Sequence, residues 1–400
     1  MRFLTAGESH GPGLVTIVEG LPRGVSVSTD SLLHDLRRRQ AGYGRGPRAA
    51  NEPERIELLA GVRAGRTTGG PVAILLRHKH WETWRPVMHQ EETPPQGSDG
   101  FAPTPDLVGV TAAPTSPRPG HADLAGAYKY GLRDLRDVIE RASARETAAR
   151  TAAGSLARSF LGHLGMTVGS WVSSIGRVGA QAEPPPGEAM RAAEVSPVRA
   201  VDRAMETEMM AAIDAARAAG DTLGGTFVVA ALGVPIGLGS YTHWDRRLDG
   251  RLAAAVMSIP SVKGVEIGEG FALGLVPGSQ AHDAIYPHEQ TGFCRRTNRA
   301  GGLEGGLSNG EPVVLRAVVK PVPTLYQPLP SIDLATGRPA SAAIERSDTC
   351  VVPAAAVVAE AMVAWVLADA TLEKFGGDTL MDVERALEAY RAGRTWWHDV

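Results

Sequence analysis

Cysteine is nearly absent: Cys294 and Cys350 are the only two in 400 residues. That excludes a disulfide framework and a cysteine-rich zinc site, and makes a reduced cytosol the expected home. A surplus of positive charge is also missing. Lys and Arg total 41 against 44 Asp and Glu, a net charge of −3, which leaves no footprint for general nucleic-acid binding. The opening MRFLTAGESHG lacks the charged-then-apolar layout of a signal peptide. The longest apolar stretch, Val351 to Ala368, contains Glu360 and is followed by Asp369, so it reads as a buried helix and not a membrane span. No GxGxxG links a strand to a helix and no GxxxxGK[ST] loop occurs, which argues against a dinucleotide fold and a P-loop.

What is present is a mixed α and β chain. Apolar residues make up 43%, enough for a sizeable core. Strands are expected at Leu14–Val18, Ile56–Val62, Val72–Leu76, Thr167–Ile175, Gly225–Leu232 and Pro312–Lys320. A helix capped by Thr29 or Asp30 runs to Gly42. A long helix is expected over 133–164, and others over Val201–Ala219, Leu248–Met257 and Pro353–Phe375. Residues 89–120 and 180–198, rich in Pro, read as loops. No internal repeat and no linker divides the chain, which is taken as one domain over 1–400 with a peripheral segment at 379–400.

The chemistry-bearing residues stand in small-residue contexts. His10 sits in Gly7-Glu8-Ser9-His10-Gly11 and His121 in Arg118-Pro119-Gly120-His121-Ala122-Asp123. Imidazoles there can approach a ligand and move protons, and Asp123 could orient the second ring. A lone histidine is more often structural. His78 and His80 lack an acidic or cysteine partner nearby, so packing outweighs metal binding. Arg37, Arg38 and Arg39 lead into Gly42-Tyr43-Gly44-Arg45-Gly46-Pro47-Arg48. Such a run can be a solvated helix end, but glycines between arginines suit convergence on a small anion. Arg141-Ala142-Ser143 could let a flat ligand lie close to the backbone, and the glycine run 301–310 could offer amides. Asp348, taken alone, reads as a surface cap.

Together these segments resemble the chorismate synthase family. The resemblance rests on GESHGPGLVTIVEGLP (7–22), ERASARETAARTAAGSL (140–156) and RSDTCVVPAAAVVAEAM (346–362). RRRQAGYGRGPR, RPGHAD, NRAGGLEGGLSNGEP and KPVPT lie between them in the family's order. It covers Arg2 to about Asp378. It implies an α+β fold with helices packed between antiparallel β-sheets, assembled as a homotetramer. It also implies a cytoplasmic lyase of the shikimate pathway to aromatic amino acids. Its reaction is anti-1,4-elimination of phosphate from 5-enolpyruvylshikimate 3-phosphate, with reduced FMN (FMNH2) required and no net redox change.

The resemblance assigns His10, His121 and Asp348 to catalysis. It assigns Arg39, Arg45 and Arg48 to substrate or NADP, and Arg141, Ala142, Ser143, Pro260, Ser261, Gly305, Lys320, Pro321, Val322, Pro323, Thr324 and Arg346 to FMN. Departures from the family pattern are Pro260-Ser261, His78 and His80, and the 89–104 insertion. NADPH, or an external flavin reductase, is the expected reductant; nucleic acid and membrane are not expected partners. A flavin oxidoreductase would consume reduced FMN stoichiometrically. A retired homologue acting as a binding protein would not need His10, His121 and Asp348 intact.

Overall fold

The computed structural model describes residues 1–46, 55–90, 114–180, 184–289, 292–343 and 347–393. Two antiparallel sheets flank its central helices. The first contains β1 (Arg2–Ala6), β2 (Gly13–Glu19), β3 (Arg55–Ala60) and β4 (Val72–Arg77), in the order β1-β2-β4-β3. The second contains β5 (Thr167–Ile175), β6 (Gly225–Leu232), β7 (Val262–Ile267) and β8 (Val313–Val319). Its order is β7-β8-β6-β5, closed by the short strand Val178–Gly179. On β2 and β4, Leu14, Val18, Val72, Ile74 and Leu76 point inward, as period-two alternation requires of a sheet with one buried face.

Between the sheets lie helices, as the α+β reading expected. α1 (Thr29–Gln40) is capped by Ser28, whose hydroxyl accepts from Ser31 N–H at 3.0 Å. The cap therefore stands one residue before the expected Thr29. The expected helix over 133–164 is broken. It becomes α4 (Arg136–Arg141), a 3₁₀ turn at Ala144–Glu146 and α5 (Thr147–His163). Ser143, with φ −62° and ψ 139°, is extended and caps the 3₁₀ turn. Upstream are α2 (Trp81–Met88) and α3 (Asp123–Tyr130).

The central element is α9 (Val352–Phe375), which packs on α1, α5, α8 (Leu248–Met257), β5 and β6. It is long and apolar enough to cross a membrane. Apolar on all sides, it is buried on nearly all sides. α5 is rich in Ala on the face it presents, so the two helices come close. A Cβ on Gly154 would fall 2.3 Å from the Ala361 Cβ. Deep in this layer the wholly buried Glu360 accepts from Arg38 (2.7 and 2.9 Å), Arg158 (3.0 Å), Arg199 (3.1 Å) and Ser170 (2.6 Å). Asp35 and Glu194 balance the remaining charge.

Two further differences have physical reasons. Within 180–198, expected as loop, Pro186–Glu194 forms α6, started by Pro at its first turn. It buries Ala189 and Ala193 against Trp171 and Val228 on the second sheet. α7 (Arg203–Ala218) follows, capped by Asp202. Beyond 379, the expected peripheral segment contains α10 (Leu380–Ala392). A Thr379–Asp382 capping box opens it, and Leu380, Val383 and Leu387 join the core. Residues 394–400 and 91–113 lie outside the described residues.

Candidate active site

The loop between β1 and β2 carries His10. Gly7, at φ +110°, lets the chain turn there; a Cβ would fall 2.3 Å from the Gly13 carbonyl oxygen. His10 donates its backbone N–H to Glu140 Oε2 (2.7 Å), and its Nδ1 lies 2.8 Å from Glu140 Oε1. The ring stacks on Trp84 with centroids 3.7 Å apart and planes 24° apart. Glu140 is buried. Burial alone would raise its carboxyl, but the His10 hydrogen bond and charge outweigh that and hold it below the usual range. His78 braces the same loop, its Nδ1 2.8 Å from the Gly11 carbonyl oxygen. That fits a packing role for His78. Among the described residues no group of three His, Cys, Asp or Glu could hold a metal.

The break between α4 and α5 faces this loop. Arg141 donates to the Thr5 carbonyl (3.2 Å) and Arg145 to the Ser9 carbonyl (2.7 Å). Ser143 Oγ donates to Ser9 Oγ at 3.2 Å, while the Ala142 N–H closes α4 on Val138 O. Arg39 is buried and reaches Thr147 Oγ1 (2.9 Å) and the Ala144 carbonyl (3.2 Å). The arginine run therefore divides. Arg37 is exposed, Arg38 goes to Glu360, Arg39 ties down the 3₁₀ turn, and Arg45 pairs with Asp348 at 2.9 Å. Asp348 also accepts from Gly46 N–H at 2.6 Å. It thus pairs with the arginine segment instead of standing as a surface cap. Arg48 and Arg346 lie outside the described residues.

His121 sits in a second group. Its Nε2 lies 3.3 Å from Thr324 Oγ1, and Lys320 Nζ donates to the Gly120 carbonyl at 2.5 Å. Asp123 does not orient the His121 ring by a hydrogen bond, contrary to expectation. It accepts three bonds from Arg118, at 2.8 to 3.1 Å, because the guanidinium fork suits a carboxylate better than a single imidazole N–H does. Burial, then the charge of Arg118, pushes His121 down to about 4, with Asp123 opposing. His121 is therefore neutral at physiological pH. Lys320 is lowered by burial and by the nearby Lys263. Its N–H donates to the carbonyl of Ser261 (2.9 Å), which follows Pro260 and holds φ +71°.

Pro321, Val322 and Pro323 continue this segment. The Val322 carbonyl accepts from Thr222, and Pro323 packs on Gly120. Arg150 joins α5 to Ser258, just before Pro260 (2.7 Å). Leu223 N–H joins the Thr349 carbonyl (2.8 Å) beside Asp348. These ties link the His121, Lys320 and Asp348 segments. Gly305 stands in the turn Leu303–Ser308, with open space where a side chain would be. No hydrogen bond among the described residues ties Gly305 to His10, His121 or Asp348.

Glu140 and Trp84 were not among the residues expected from sequence. Glu140 opens the ERASARET segment, but nothing local points it at a histidine 130 positions away.

The family model described as chorismate synthase matches residues 1–372. A chorismate synthase from Moorella thermoacetica is 55% identical over 391 residues, 98% of both chains. Another from Saccharopolyspora erythraea is 52% identical, over 98% of this chain and 97% of the other. A solved structure described as a crystal structure of chorismate synthase superposes with a TM-score of 0.77 at 39% identity, covering 98% of this chain and 97% of that one.

Proposed function

The chain belongs to the chorismate synthase family of lyases, and from that premise we propose that it converts 5-enolpyruvylshikimate 3-phosphate into chorismate and inorganic phosphate with reduced FMN. The observation that carries this reading is a pair of histidines in opposite settings. His10 rests on a buried carboxylate, the arrangement that supports an imidazolium. His121 is held neutral by burial and cationic neighbours. An imidazole backed by a carboxylate suits proton donation, and one held neutral suits control of proton access.

The reaction breaks the C3–O bond to phosphate and removes a proton from C6. His10 is the proton donor to the departing phosphate. His121 governs proton access beside the cofactor. Asp348, held by Arg45 and Gly46, supplies the carboxylate on the proton-removal side. Arg45 and Arg48 neutralise a substrate with about four negative charges near neutral pH. Arg39 supports the turn Ala144–Glu146.

Reduced FMN, when bound, supplies an electron-rich ring that eases phosphate departure without net redox change. The donor set fits it: the paired charges of Lys320 and Lys263 suit its phosphate, and the hydroxyls of Ser143 and Thr324 are neutral donors. Arg141, Ala142, Pro260, Ser261, Gly305, Pro321, Val322, Pro323 and Arg346 complete the set. We place the enzyme in the cytosol as a homotetramer, its FMN reduced by NADPH or by an external flavin reductase. Anaerobic assay with dithionite-reduced FMN tests the reading. Many turnovers per FMN, with chorismate and phosphate released one to one, support it. Consumption of reduced FMN one to one with substrate overturns it.

A further inference from the structure

Glu140 is a buried acid with a shape-matched partner, and the scheme above gives it no role beyond lying beneath His10. Its two carboxylate oxygens meet two donors of one residue, His10 N–H at 2.7 Å and His10 Nδ1 at 2.8 Å. We propose that Glu140 is a positioning residue that fixes the proton of His10 on Nδ1, with Trp84 fixing the plane of the ring. The inference rests on the assignment of His10 as proton donor.

An ionised carboxylate only accepts, so the ring nitrogen against it must carry hydrogen in both the neutral and cationic forms. The proton gained and lost is then the one on Nε2. Glu140 is fully enclosed, so water does not compete for its oxygens. Its ionised state is favoured despite burial because His10 offers both donors. Trp84 stacks on one face of the imidazole, and Arg136 lies 5.9 Å from the Trp84 ring. Rotation about the Cβ–Cγ bond of His10 would break the stack and the Nδ1 contact together. The loop is anchored independently, by Ser9 N–H on the Glu140 carbonyl at 3.1 Å. Substitution of the Glu140 side chain therefore leaves that backbone tie in place.

Glu140→Gln is the discriminating variant. Glutamine has one acceptor oxygen for two donors. When the oxygen keeps the His10 backbone N–H, the NH2 faces Nδ1 and moves the ring proton to Nε2. The expected result is a fall in kcat of at least about 10-fold and up to about 10⁴-fold, with KM changed less than about threefold, since a wrong tautomer disables a carboxylate-oriented histidine. Glu140→Asp, which keeps the charge, should recover part of that loss. Heteronuclear NMR of histidine-labelled, full-length protein in mildly alkaline buffer should show His10 protonated on Nδ1 in the wild type and on Nε2 in Glu140→Gln.

Wild-type His10 protonated on Nε2 overturns the proposal whatever the activity. Wild-type turnover in a folded Glu140→Gln also overturns it, as does a rise in KM with kcat unchanged. If the wild type makes no chorismate, the functional reading fails, while the NMR result still decides the Nδ1 assignment.

Discussion

Arg45 and Asp348 are 303 positions apart and their charged groups lie 2.9 Å from each other at the site. Each is partly exposed, and Gly46 N–H supplies Asp348 with a second partner. Arg39, six residues earlier, is buried and bonded to backbone. The two arginines should therefore fail differently. Arg45→Ala should raise KM for the phosphate ester about tenfold or more, while costing no more than about 1 kcal/mol of stability. Arg39→Ala should cost about 1.5–3 kcal/mol by loss of charged hydrogen bonds. Steady-state kinetics and urea melts separate them. Equal losses of unfolding free energy from both would refute the division.

Replacing either histidine should strike kcat. His10→Ala and His121→Ala are each expected to lower it by about 10²–10⁴, the worth of a positioned proton donor or acceptor. Stopped assays with excess reduced FMN measure this. Wild-type turnover in both would remove the proton roles.

His121 also couples stability to acid. Its folded pKa, about 4, lies below the ordinary 6.5. The unfolded chain then binds the extra proton first, so stability is full above about pH 6.5 and is lost as pH falls toward 4. The shift corresponds to about 3 kcal/mol, discounted to about 1–2 kcal/mol because the ring is partly solvated. His121→Asn should flatten this part of the pH dependence in urea melts. An unchanged slope between pH 6.5 and 4 would show that His121 is not its source.

Glu360 answers three arginines at once. Glu360→Gln leaves buried positive charge uncompensated and should cost about 3–5 kcal/mol. Since the cluster lies between helices and the second sheet, KM should not follow. Chemical denaturation and kinetics on the same preparation test it.

At the crossing of α5 and α9, Gly154→Ala gains about 1 kcal/mol of helix propensity. It also forces a methyl to within 2.3 Å of the Ala361 Cβ. Overpacking should win, for a net loss of about 1–2 kcal/mol. A Tm at or above wild type would mean that the helices separate at little cost.

Local signals explain what the sequence revealed. Thr167–Ile175 was readable to the residue because Gly165 and Gly176 bracket a β-prone run, and α9 because Pro353 and Gly376 mark its ends. The break at Ser143 was not readable, since the apolar period continues across it. Its cause is tertiary: Arg39, Ser9 and Arg145 hold the turn. Three prolines hid α6, although Pro186 is a start signal. His10 and His121 stood out by their small-residue contexts, while their roles and that of Asp348 came from motif resemblance; their neighbours Glu140 and Trp84 required the fold. Asp123 shows the limit of spacing, for two residues from His121 it serves Arg118 instead.

The position of α9 has a consequence for how the chain is made. The first sheet is complete in sequence by Arg77, yet the helix that closes the interior between the two sheets ends at Phe375. Translation of the roughly 300 residues between them takes about 15–60 s at about 5–20 residues per second. During that interval α5 can already cover β2, but α1, α5 and the second sheet lack the helix they pack on. The central core can therefore close only after Phe375 has left the ribosome.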